Sequence, residues 1–149
     1  MTKISICGPL PRSIGLSRAQ LAAAARRFAE LSARRGGVAF REVSVVLQDD
    51  AASAAAHLAI MGVEGATDVI TQPYDPMPGE REGVYGELYV NSQRALGVAS
   101  RSRWSPAKEL LLYVAHGMDH LSGADDHSPR DMMRMRRREL KWLRELQLG

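Results

Sequence analysis

The sequence predicts an α+β (mixed α/β) fold, with one roughly four-stranded sheet packed with helices in a single domain over residues 1–149. Three observations lead there. Four short runs rich in β-branched residues, at 3–7, 38–47, 67–71 and 84–91, are mixed with helical stretches, the pattern of helices laid on a sheet. The 149 residues include 45% hydrophobic residues, which suits one core of ordinary size. No repeat, low-complexity tract or linker-like shift in composition divides the chain.

Taken in order, residues 3–7 alternate, with Ile4 and Ile6 on one side, and stop at Gly8-Pro9, as a short strand does. Ser17 is placed to cap a helix reaching about Arg35, with Leu21, Ala24, Phe28 and Leu31 as its apolar stripe and Gly36-Gly37 as its stop. A strand over 38–47 follows. Asp49 or Asp50 then caps an alanine-rich helix to about Met61, and residues 62–65 turn. Residues 67–71 predict a strand closed by Pro73, residues 74–83 a loop, and 84–91 a further strand. Residues 92–100 are predicted helical. Ser105-Pro106 and Ser128-Pro129 each place a capping hydroxyl before a proline at the first helical position. The first of these helices carries two histidines, and the second is expected to run to about Leu146.

Composition narrows the setting. Formal net charge is only +3, but cationic residues crowd the C-terminal part. Cys7 is the one cysteine, so no internal disulfide can form and a reducing compartment is expected. No apolar run approaches the roughly 18–20 residues needed to cross a bilayer. The first residues lack a charged segment followed by a long apolar one. The expectation is therefore a cytoplasmic protein without a membrane partner.

Chemistry concentrates in residues 116–127, which hold three of the four histidines. His116 and His120 are four apart. At about 100° per residue their rings lie roughly 40° apart on one helical face, the arrangement with which two imidazoles clamp one ion. Gly123 lets the chain leave the helix, and the bend can return His127 to the same point. Histidine near a helix end often does no more than favour the dipole. Three with this spacing predict a metal site at His116, His120 and His127. Three protein ligands with an open fourth position form the catalytic pattern of zinc. One Zn²⁺ ion is the expected cofactor, although nickel, iron and copper also accept imidazole.

The neighbouring residues limit that chemistry. The protease motif His-Glu-x-x-His carries its general base directly after the first histidine, and here that position is Gly117. No catalytic side chain is otherwise assigned. Asp119 is expected to be a solvated helix-end carboxylate, with an orienting or proton-accepting role as the alternative. Asp125 and Asp126 either hold imidazole N–H groups or serve as turn residues.

His-Gly-x-x-His-Leu-x-Gly-x-Asp followed by histidine, as it stands from His116 to His127, resembles the signature of the YbeY family of bacterial metal-dependent endoribonucleases. Thr67-Asp68-Val69-Ile70-Thr71-Gln72-Pro73 resembles the family's Thr-Asp-Val-hydrophobic-Ser/Thr-Phe-Pro strand, and Gly86-Glu87-Leu88-Tyr89-Val90-Asn91 its following strand. The resemblance is clear from about Gly65 to Leu146. It implies a small α/β fold whose three histidines bind zinc. It also implies cleavage of single-stranded RNA in ribosomal RNA maturation and ribosome quality control, with ribosomal RNA or the small subunit as partner. Carried over, the first two ligands are His116 and His120. The family usually leaves five residues before its third histidine; here six intervene, so Asp126 occupies the usual register and His127 follows it. His127 is the expected third ligand because imidazole is the family's, with Asp126 as the alternative. Gln72 stands for a phenylalanine, Ala124 for a tyrosine and Asp119 for a leucine. Met61 stands where the family often has an arginine that helps hold RNA.

A basic set, Arg130, Arg134, Arg136, Arg137, Arg138, Lys141 and Arg144, follows the motif, and Arg101 and Arg103 precede it. It is read either as an RNA-binding surface or as the solvated side of a helix whose Leu140, Leu143 and Leu146 pack inward. Trp104 and Trp142 are expected in core packing rather than stacked on bases. Two other functions compete with the nuclease: a noncatalytic ribosome-assembly factor stapled by a structural metal, and, last, a metalloprotease lacking its glutamate.

Overall fold

In the computed structural model, which describes residues 1–146, one mixed sheet has helices on its faces. The elements are β1 (Lys3–Cys7), a 3-10 turn at Arg12–Ile14, α1 (Arg18–Gly36), β2 (Phe40–Gln48), α2 (Asp50–Met61), β3 (Val69–Tyr74), β4 (Val84–Asn91), α3 (Ser92–Ala99), α4 (Pro106–Leu121) and α5 (Pro129–Glu145). The sheet order is β1-β2-β4-β3, with β1 parallel to β2, β2 parallel to β4, and β3 antiparallel to β4. The fold is α+β with four strands, as the alternation of segments predicts.

The capping residues act where the sequence places them. The Ser17 side chain accepts from the Gln20 N–H while the Gln20 side chain accepts from the Ser17 N–H, a reciprocal box. Asp49, not Asp50, caps α2. Ser105 and Ser128 cap α4 and α5 ahead of their prolines. Each such cap contributes about 1 kcal/mol to its helix.

Two boundaries differ from expectation. The strand predicted over 67–71 is Val69–Tyr74, and Pro73 lies inside it, opposite Gly86. Proline is tolerated there because β3 is an edge strand, where a missing N–H breaks no ladder. The 3-10 turn at Arg12–Ile14 carries no periodic pattern, and Ile14 is nonetheless buried.

The core lies between the sheet and two helices. Val43, Val45 and Leu47 of β2 and Leu88 and Val90 of β4 meet Leu21 and Phe28 of α1 and the buried run 110–115 of α4. α4 is enclosed on most sides, touching α1, α3, α5, β3 and β4. One residue makes that depth possible. A Cβ added at Gly117 would lie 2.7 Å from Leu88 Cδ2, so a side chain there would have to displace Leu88 or lift α4 off β4. The position that bears the protease glutamate is thus committed to core packing.

Candidate metal centre

α4 presents His116 and His120 one turn apart, both half-buried, with Nε2 to Nε2 at 3.1 Å. The Nδ1 atoms face outward to acceptors. His116 Nδ1 donates to Glu139 of α5, 3.0 Å from each carboxylate oxygen. His120 Nδ1 donates to the Ala124 carbonyl at 3.2 Å. With both Nδ1 atoms carrying hydrogen, the two Nε2 lone pairs crowd one another, the rings standing edge-on at 86°. At this separation they repel unless a proton or a metal cation lies between them.

The bend after α4 supplies the next group. Gly123 has φ 102°, and its N–H donates to the His120 carbonyl, a conformation glycine takes without strain. The bend carries Asp126 Oδ2 to 3.4 Å from His120 Nε2. His116, His120 and Asp126 form one group whose ligand atoms lie within 4.8 Å of one another. His127 stands elsewhere. Its side chain is 88% exposed, and its Nε2 is 3.3 Å from Asp125 Oδ1. Asp125 also accepts the His127 backbone N–H at 2.9 Å, acting as a turn residue. The structure therefore gathers two of the three expected histidines with the carboxylate in the family's usual register, and groups His127 with Asp125 and the same Asp126 in a second, exposed set.

The donor set fits a borderline cation. Two imidazoles and a carboxylate are zinc ligands, and nitrogens held at about 2.0–2.1 Å in tetrahedral geometry stand about 3.3 Å apart, close to the separation seen here. Burial alone would lower the His116 pKa. The hydrogen bond and charge of Glu139, with the charges of Asp68 and Asp126, reverse this and hold it above the ordinary imidazole value. Burial raises the Glu139 pKa, the His116 contact opposes the rise, and Asp119 adds to it. The first shift favours the protonated form of His116 and the second the neutral form of Glu139.

Glu139 escapes a reading by charge alone. It is only 1% exposed, and it belongs to the buried stripe Met135, Glu139, Trp142, Leu143. A carboxylate among apolar residues at helical spacing requires a partner, and that is the signal in the sequence. A carboxylate behind an imidazole fixes the tautomer and the ring's aim. Glu139→Ala is expected to lower zinc affinity about 10–100-fold, with Glu139→Gln in between. Competition with a chromophoric chelator measures this, and unchanged affinity in the alanine variant would remove the orienting role.

Asp119 overturns the expectation of a solvated carboxylate. It is fully buried. Arg35 Nε of α1 lies 3.0 Å from Oδ1, and Arg138 of α5 donates to Oδ2 at 2.9 and 3.2 Å. Arg35 also donates to Ser122 Oγ at 2.7 Å. The reason is positional: α1 and α5 flank α4 on the side to which residue 119 turns. The carboxylate ties three helices together beside His120.

A cleft of about 490 Å³ opens at His116, lined also by Asp68, Asp126, Met132, Met133, Arg136, Arg137 and Glu139. Neither tryptophan lines it: Trp142 is buried beneath Arg138, and Trp104 packs against the core. The other basic residues of α5 divide. Arg138 turns inward to Asp119, while Arg130, Arg134, Arg136 and Arg137 remain exposed.

The chain is similar to known proteins in sequence and in fold. The family model described as Endoribonuclease YbeY matches residues 12–147. Curated proteins named endoribonuclease YbeY are similar in sequence. One from Protochlamydia amoebophila is 30% identical over 105 residues, 70% of each chain. One from Kineococcus radiotolerans is 38% identical over 106 residues, 65% of this chain and 61% of that one. One from Rhodopirellula baltica is 39% identical over 100 residues, 66% of this chain and 50% of that one. The fold resembles the solution structure of TM1509 from Thermotoga maritima, with a TM-score of 0.60 and 24% identity over 95% of this chain and 87% of that one. By the extent of the family match and the identity of these relatives, the chain belongs to the endoribonuclease YbeY family.

Proposed function

We propose that this protein is a zinc-dependent endoribonuclease that cuts single-stranded RNA, with ribosomal RNA as its substrate and the cytoplasm as its setting. The whole chain, 1–149, then forms one YbeY-like metallohydrolase domain. The observation that carries the reading is the pair of facing Nε2 atoms, 3.1 Å apart, whose Nδ1 atoms are both already engaged. The names of the relatives support an RNA substrate.

His116 and His120 would hold the ion through Nε2. Bound zinc supplies Lewis acidity towards a phosphoryl oxygen and activates water near neutral pH. The chain's own residues do the rest. Glu139 fixes the His116 tautomer, and the Ala124 carbonyl fixes that of His120. Arg136 and Arg137 line the cleft where a phosphodiester would enter. Gly117 leaves no glutamate beside the ion, which sets this site apart from the zinc proteases.

For the third ligand we propose Asp126, which already sits beside His120; His127 is the competitor. Asp126→Ala is expected to cut zinc affinity by more than the about 10–100-fold that loss of an outer partner costs. His127→Ala should stay within about threefold, the scale of a surface substitution. The reverse ranking in metal titrations would hand the position to His127.

The reaction is tested with labelled single-stranded and duplex oligoribonucleotides before and after chelation. Cleavage of the single strand alone, lost with chelator and restored by zinc, is the expected result. Tight RNA binding with no cleavage under any metal would instead make the protein an assembly factor with a structural ion.

A further inference from the structure

We infer that the outer face of α5 is the track on which the substrate strand leaves the cleft, with Arg130, Arg134 and Arg137 gripping successive phosphates. The inference rests on the nuclease reading and extends it to the strand's path. A second hollow of about 580 Å³ is lined by Arg130, Met133, Arg134 and Arg137. It shares Met133 and Arg137 with the cleft that holds His116, so the two are continuous around the helix.

The three arginines are spaced i, i+4 and i+7, which aligns them on one face over about 10 Å of helix. Among the described residues, none of the three makes an ion pair. Of the acids that line the cleft, Glu139 is turned inward to His116 and Asp126 lies beside His120. Arg138, by contrast, is fully engaged by Asp119, so a run of arginines contiguous in sequence is partitioned between holding the fold and facing outward. Unpaired guanidiniums in a row match the repeating charge of a nucleic-acid backbone.

Met132 and Met133, each 56% exposed, line the cleft, and Met133 also lines the second hollow. They offer adaptable apolar contact to a base face without reading its edges. Phosphate contacts position a strand and carry no sequence information, so this grip tolerates any sequence. A basic helix can instead lie on an anionic membrane. Here Trp142 and Leu143 of α5 pack against the core and Met135 is buried, which leaves Met132 and Met133 as its large exposed apolar side chains, too few to insert.

The test uses the full chain with Arg130, Arg134 and Arg137 changed together to alanine. Binding to a labelled single-stranded RNA is followed over a salt series in a His120→Ala background, so that no strand is cut. Each phosphate contact on a single strand contributes about 0.7 to the slope of log affinity against log salt. The variant's slope should be shallower by about 2, so a fourfold rise in salt weakens it about sixteenfold less. Lysine at the same three positions should restore the slope. Arg101→Ala with Arg103→Ala, the basic pair before α4, should leave it unchanged.

An unchanged slope in the triple variant, or an equal loss in the control pair, overturns the track. So does a change confined to binding of phosphatidylglycerol vesicles. If the wild type cleaves RNA with zinc while the slopes are equal, the track alone fails. If the slope falls as stated but no zinc-dependent cleavage occurs in the wild type, the nuclease reading fails and the track stands.

Discussion

His120→Ala should abolish stoichiometric zinc and lower RNA cleavage at least about 1,000-fold, equivalent to about 4 kcal/mol of transition-state stabilisation. The choice of histidine matters. His120 faces only the Ala124 carbonyl and the neighbouring site groups, so its loss leaves no charge stranded in the core. His116→Ala would strand Glu139, which is 1% exposed and has His116 as its hydrogen-bonding partner. An uncompensated buried carboxylate is strongly destabilising, and a loss of activity there would be confounded with a loss of fold. Metal analysis, circular dichroism and cleavage kinetics on His120→Ala separate the two effects. A variant that retained both zinc and cleavage would sink the site.

The second large effect is on stability. Asp119→Asn removes the one carboxylate that two guanidiniums share. Breaking a buried pair costs about 3–5 kcal/mol. Arg35 and Arg138 keep 28% and 21% side-chain exposure, and water screens part of the loss, so the lower end, about 3 kcal/mol, is expected. For a domain of this size that corresponds to a fall in Tm of roughly 6–12 °C by calorimetry. Replacing all three residues with apolar ones of similar volume should recover much of it, because the two cations are then no longer left unpaired. A fall of less than about 2 °C on Asp119→Asn would mean that the clamp holds little.

Local features of the chain proved readable because local physics decides them. Ser17, Asp49, Ser105 and Ser128 each cap a helix with the expected hydroxyl or carboxylate. The four strands lie in the expected segments, and the pair His116 and His120 shares a face as helical spacing requires. Features that depend on distant chain were not readable. The order β1-β2-β4-β3 decides that β3 is an edge, and only that makes Pro73 acceptable within a strand. Asp119 looks like a surface acid until α1 and α5 arrive on either side of it. The bend holds one residue more than the usual family spacing. Which of Asp126 and His127 turns inward is then set by a few backbone angles, not by residue type. Glu139 lay in between: its place in an apolar stripe was visible, but its partner, 23 residues earlier, was not.

The two residues of α5 that reach back to α4, Arg138 and Glu139, come well after both imidazoles in the chain. Synthesis as far as the bend therefore yields both rings, with the Ala124 carbonyl to aim His120 but no brace for His116. Such a fragment would leave Asp119 half-paired and His116 free to swivel. Completion of α5 is thus the step that fixes the ring of His116.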